Sequence, residues 1–201
     1  ANNGNLTITG EGTIEFTNTA EGGSSTWGTY TIENRGEGVL TIDNATIRHN
    51  GCVNGDVNRD TNIAIQNYQG KVVVNNGTIA STQFRSLRDF TAGGEIIING
   101  GTFLGQVWMQ GLGNGSSSLT INGGDFAQNI ANGGGTSVIC PAGATIKIYG
   151  GNFYHVPVAD FQSKVFHNYM GYGAPVDVYG GTYNDDSVTK SGNLAAGYKA
   201  V

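Results

Sequence analysis

The sequence predicts an all-β solenoid: a parallel β-helix of about seven coils, with no substantial helix, occupying residues 1–201 as one domain. Three observations predict it. A short pattern, apolar-x-apolar-x-turn-Thr-apolar, recurs seven times along the 201-residue chain. The runs around it alternate with period two, and no window keeps the i, i+3, i+4, i+7 stripe of a helix. The chain holds 34 Gly and only 3 Pro. Helices tolerate so much glycine badly, whereas tight corners between strands require it.

The copies begin at Leu6 (LTITGEGTI), Leu40 (LTIDNATI), Val72 (VVVNNGTI), Ile96 (IIINGGTF), Leu119 (LTINGGDF), Ile146 (IKIYGGNF) and Val176 (VDVYGGTY). Their starts are 34, 32, 24, 23, 27 and 30 residues apart. A strand-rich unit recurring at such a period marks a stacked-repeat architecture. Between the copies lie TYTIENRGEG, NIAIQNYQG, FRSLRDFTAGG, QVWMQGLGNGSS, SVICPAGA and KVFHNYMGYGAP. Each is a short apolar run ending in a Gly-containing turn. One repeat therefore carries at least two strands and a bend, and its terminal "GTF" starts a further strand, as coil stacks on coil. The spacing varies through expected loops at 17–28, 50–61 and 154–163.

In this arrangement the columns acquire meanings. The first and third residues of each copy, from Leu6/Ile8 to Val176/Val178, are predicted to point inward. Ile14, Ile47, Ile79, Phe103, Phe126, Phe153 and Tyr183 form a second inward column. Aromatic rings repeated on successive coils are expected to stack and to favour one register. The pairs Gly100/Gly101, Gly123/Gly124, Gly150/Gly151 and Gly180/Gly181 turn the corner. Asn34 and Asn67 end equivalent strands, which predicts an amide ladder. No helix or polar cap is evident at either end, although solenoids need caps.

Apolar residues make up 38% of the chain, enough for a core and against disorder. The net charge is −5 with no run of Lys or Arg, so nucleic acid and anionic membranes are not expected partners. No stretch approaches the roughly 20 apolar residues of a membrane span. Nor does ANNGNLTITG read as a signal peptide, so the chain is expected to be a mature form or part of a longer one. Cys52 and Cys140 have no metal or redox spacing. About three coils would separate them, roughly 14 Å at about 4.8 Å per coil, beyond the reach of a disulfide, so both are expected to be free, buried thiols.

The TINGGTF-type coil and the final LAAGYKAV resemble the repeats of cell-surface β-helix proteins from Gram-positive gut and soil bacteria. Those are adhesin-like or carbohydrate-binding proteins of the pectate-lyase-like, right-handed β-helix group. The resemblance covers the whole chain and implies a right-handed coil, a location outside the cell or on its surface, and a polysaccharide or cell-surface glycan as partner. Phage tailspikes share the architecture, which leaves a virion-surface, receptor-binding role as an alternative.

Many enzymes of this architecture act on polysaccharide from one sheet face, which makes the outward positions the place where chemistry is expected. The first outward column holds Thr7, Thr41, Val73, Ile97, Thr120, Lys147 and Asp177. The second holds Thr9, Asp43, Asn75, Asn99, Asn122, Tyr149 and Tyr179. Glycoside hydrolysis needs two carboxylates about 5–10 Å apart, and this face predicts no such pair. Lys147 beside Asp177 reads as a cross-strand ion pair, and Asp185/Asp186 as a solvated loop. Arg85, Arg88 and Asp89 share FRSLRDF. An arginine there could pair with a uronate carboxylate, but without neighbouring acids a surface charge pair is the expectation. A lyase or hydrolase remains the enzymatic alternative.

Asp56, Asn58 and Asp60 alternate like the front of a Ca²⁺ loop, but the downstream Glu is missing. His49, His155 and His167 lack a zinc spacing. No cofactor is expected, and a Ca²⁺ site at Asp56, Asn58 and Asp60 is the weaker alternative to a plain turn-rich loop. The most suggestive feature is aromatic: Tyr149, Tyr154, His155, Tyr169, Tyr172 and Tyr179 crowd the last two coils, with Trp108 further back. Exposed rings beside polar groups hold sugars through the C–H face and the hydroxyls. The expected function is therefore a non-enzymatic glycan-binding or adhesive surface protein, with a structural subunit that assembles end to end or as a trimer as a further alternative.

Overall fold

The computed structural model describes residues 1–17, 29–51, 62–111, 116–127, 138–141, 144–156, 165–166, 176–190 and 194–199. The expectations for Cys52, Asp56, Asn58, Asp60, His167, Tyr169 and Tyr172 lie outside them, as does most of the three predicted loops. The described chain is nearly all strand. Its strands are β1 (Leu6–Thr9), β2 (Thr13–Thr17), β3 (Thr29–Asn34), β4 (Val39–Asn50), β5 (Asn62–Asn67), β6 (Lys71–Asp89), β7 (Glu95–Ile98), β8 (Thr102–Met109), β9 (Ser117–Ile121), β10 (Asp125–Ala127), β11 (Ile139–Cys140), β12 (Ala144–Ile148), β13 (Asn152–Tyr154), β14 (Val176–Val178) and β15 (Thr182–Tyr183). A four-residue helix, α1 (Ser187–Lys190), follows them.

Every pairing among these strands is parallel, and the pairings resolve into three ladders. The first runs β1, β4, β6, β7, β9, β12, β14, and its register joins Leu6, Leu40, Val72, Ile96, Leu119, Ile146 and Val176 in one line. The second runs β2, β4, β6, β8, β10, β13, β15 and aligns Ile14, Ile47, Ile79, Phe103, Phe126, Phe153 and Tyr183. These are the two predicted inward columns, in the predicted register. The third ladder joins β3, β5 and the C-terminal parts of β6 and β8 to β11, with Phe166 bridging onto Ile139. It gathers the runs that precede the anchors.

The inward residues of the three ladders form one core from Leu40 to Val188. Its axis is a stack of rings. Phe103 and Phe126 lie 4.9 Å apart at 12°, Phe126 and Phe153 4.7 Å at 7°, and Phe153 and Tyr183 4.8 Å at 3°. Ring spacing equals the strand spacing of a sheet, so the aromatic column adds contact without distorting the ladder. A one-residue slip would turn every one of these side chains outward.

Both glycines of each pair are closely approached by backbone, and they differ in conformation. Only the second residue of each pair takes a positive φ, for example +97° at Gly101 and +116° at Gly151. The first is needed for closeness: a Cβ on Gly180 would stand 2.5 Å from the Tyr149 carbonyl oxygen, and one on Gly150 2.8 Å from that of Asn122. Backbone therefore passes over backbone at each corner.

The asparagine ladder is present and longer than expected. The side-chain amide of Asn2 donates to Asn34 Oδ1 at 2.8 Å, Asn34 to Asn67 Oδ1 at 2.9 Å, and Asn67 to Asp89 Oδ1 at 2.9 Å. Asn67 also donates to the Gly70 carbonyl at 2.9 Å, so the ladder holds the following turn as well.

The C-terminal end differs from the expectation. At the N-terminal end Leu6, Ile14 and Phe16 keep their inward alignment yet stay exposed, Ile14 at 42%, because no further strand covers them among the described residues. The C-terminal end is covered. Ala195 donates to the Val178 carbonyl at 3.0 Å, Leu194 bridges Val178, and Val188 of α1 is only 5% exposed against the core. The cap was illegible because its helix is a single turn. Cys140 is buried, as predicted.

Candidate functional site

The outward side of the first ladder carries a continuous column built from the residue after each inward pair. Asn99 donates its amide to Asn75 Oδ1 at 2.9 Å, and Asn122 donates to Asn99 Oδ1 at 2.8 Å. All three are exposed. The column then changes chemistry: Tyr149 and Tyr179 stack at 4.7 Å with 11° between planes. Tyr149 is 49% exposed. The tyrosines spend their facing surfaces on each other, and Tyr149 remains half-exposed.

Beyond Tyr179 the column meets a residue that sequence reading passed over. Tyr198 is 51% exposed and stands edge-on to Tyr179 at 5.3 Å and 88°. Its signal was present in LAAGYKAV, but only the C-terminal cap brings it beside the seventh repeat. Between the last repeat and the cap lies a cleft of about 430 Å³, lined by Tyr179, Gly181, Thr182, Asp185, Leu194 and Tyr198 among others.

The other predicted residues fall in three different environments. Tyr154 is exposed, but it sits on the second ladder, in register with Ala127 and Leu104, and so stands across a glycine corner from the Tyr149 column. The His155 side chain turns to Asn184 Oδ1 at 2.9 Å and to Asp185 Oδ2 at 3.7 Å, nearly hidden from solvent. Asp185 is therefore no solvated loop residue: it also accepts the Val165 N–H at 2.7 Å and the Ser187 hydroxyl at 2.6 Å. These bonds fasten the cap to the third ladder.

Lys147 and Asp177 are opposite one another in register, but they make no ion pair within 4 Å. The charge pairs that do form among the described residues include Lys71–Glu95 at 3.1 Å and Arg48–Glu15 at 3.6 Å. Register places Cα atoms, but a long exposed side chain is not held to its neighbour by a weak surface attraction.

Arg85, Arg88 and Trp108 are corrected most. Arg85 is 1% and Trp108 4% exposed, so none is a surface charge or an open sugar platform. The Arg85 guanidinium lies 3.7 Å over the Trp108 ring, and Arg88 lies 4.4 Å over it and 4.3 Å over Phe90. Arg88 Nε also donates to Gln110 Oε1 at 3.0 Å. Trp108 and Cys140 form a second small hydrophobic cluster, separate from the main core. Cation–π contact rewards such burial. The alternation of FRSLRDF reads as one face out to water, and the sequence holds no sign that this outer face is covered.

Among the described residues no three of His, Cys, Asp and Glu converge as a metal site, and no helix is long and apolar enough to cross a membrane. Compared with known protein families, with characterised proteins and with solved structures, the chain finds no match.

Proposed function

We propose that the chain is a right-handed parallel β-helix that displays a polysaccharide-binding strip on a cell or virion surface and performs no chemistry itself. What carries this reading is the single outward column in which the Asn75, Asn99 and Asn122 amides run directly into the Tyr149–Tyr179 pair. Four steps of about 4.8 Å make the strip about 19 Å long, room for several sugar rings of an extended chain. The amides offer alternating donors and acceptors to hydroxyls. The tyrosines offer an apolar surface edged with hydroxyl groups. The three parallel ladders and the Phe stack supply the straight, stiff support that such a strip needs.

A glycan array spanning plant, host and bacterial polysaccharides tests the reading. Binding to at least one polymer is expected, with Tyr149→Ala and Tyr179→Ala each weakening it tenfold or more and Asn99→Ala weakening it less. No binding to any polymer sinks it.

A further inference from the structure

We infer that the cleft between the last repeat and the C-terminal cap is a separate subsite that takes the end of a sugar chain, one or two rings long. The inference rests on the strip reading for the kind of ligand; Tyr179 is common to both, and the rest of the cleft is lined by other residues. The volume of about 430 Å³ lies in the range of small-ligand sites. Tyr198, Leu194 and Val188 give the cleft an apolar wall, and Tyr198 presents a half-exposed ring.

The polar side follows from where the repeats stop. The carbonyls of Gly101, Gly124 and Gly151 each accept a backbone N–H from the next repeat, from Asp125 at 2.9 Å, Asn152 at 2.8 Å and Thr182 at 2.8 Å. Gly181 is the same residue of the seventh repeat, lines the cleft, and has no such successor among the described residues. Its carbonyl is an acceptor positioned for a ligand hydroxyl. Lys199 also lines the cleft, and its ammonium adds donors. Asp185 is already engaged with Ser187 and Val165, so the cleft does not call for a cation.

The cleft is also an end. Ala195 is bonded to Val178, and α1 lies over the core, so these segments stand across the end of the repeat stack. A polymer lying along the strip meets them there and presents its terminus.

Soluble probes test this: glucose, galactose, N-acetylglucosamine and galacturonic acid with their disaccharides, followed by saturation-transfer NMR and amide shifts. At least one is expected to bind and to shift Gly181 and Tyr198. Thr182→Trp, which fills the cleft from an exposed position, and Tyr198→Ala should each lower that affinity tenfold or more. Tyr198→Phe, which keeps the ring, should retain most of it, and thermal unfolding midpoints near wild type confirm folding. Asn99→Ala, far along the strip, should weaken polymer binding and leave the small sugars unchanged. If polymers bind but no mono- or disaccharide does, or if Thr182→Trp and Tyr198→Ala change nothing, the subsite is overturned while the strip stands. If neither class binds, both fall.

Discussion

Asp89 ends the buried amide ladder with a carboxyl where every other rung carries an amide. Burial pushes its pKa up to about 6, against the pull of the Ser117 hydroxyl and the Asn67 amide. The native state thus keeps a proton that the unfolded chain, with an ordinary carboxyl near 4, gives up. The resulting stabilisation is complete below about pH 4 and is lost as pH rises through about 6. His49 works in the opposite direction. Burial pushes its imidazole down to about 4, so its contribution is present above about pH 6.5 and is lost as pH falls through about 4. The two slopes oppose each other between about pH 4 and 6. Asp89→Asn, which preserves an acceptor for Asn67, is expected to raise stability at pH 8 by on the order of 1–3 kcal/mol. It should also leave a profile that rises with pH between about 4 and 6.5. Urea unfolding across that range checks this, and an unchanged profile counts against it.

At the scale of the element, the second ladder is held by its rings and its corners. Phe126 is fully buried and stacked on both sides. Phe126→Ala is expected to cost about 3–5 kcal/mol in urea unfolding, and Phe126→Leu distinctly less. The corner has no such tolerance. Gly151 combines φ of +116° with a Cβ position 3.0 Å from the Gly124 oxygen. Gly151→Ala is expected to cost about 1–3 kcal/mol, although it adds only one methyl group at a half-exposed position. A neutral result would show that the corner can relax.

At the scale of the whole molecule, the described residues cover the C-terminal end of the repeats and leave inward residues exposed at the N-terminal end. The same chemical insult should therefore have unequal effects. Val188→Asp places a carboxylate in the contact between α1 and the core, where Val188 is 5% exposed, whereas Ile14→Asp alters a position that is 42% exposed. The expected outcome is a clear fall in the thermal unfolding midpoint for Val188→Asp and little change for Ile14→Asp. Equal falls would mean that the N-terminal end is covered in solution.

Repetition made the inward face legible. Seven copies of one pattern fix which side of each strand faces in, because side-chain direction alternates strictly along a strand. Both core columns, the Phe stack and the Asn34–Asn67 bond follow from aligning the copies. What the sequence could not express is how an outward position is covered. Trp108, Arg85 and Arg88 have the alternation of exposed residues, yet all three are buried, with both guanidinium groups over the indole. Tyr198 and Asp185 belong to no repeat, so no alignment could bring them to Tyr179 and His155; a one-turn helix and a single bridge to Val178 did. The scaffold is local and periodic and is written in the chain, while the cleft is made where the period ends and is decided by the fold.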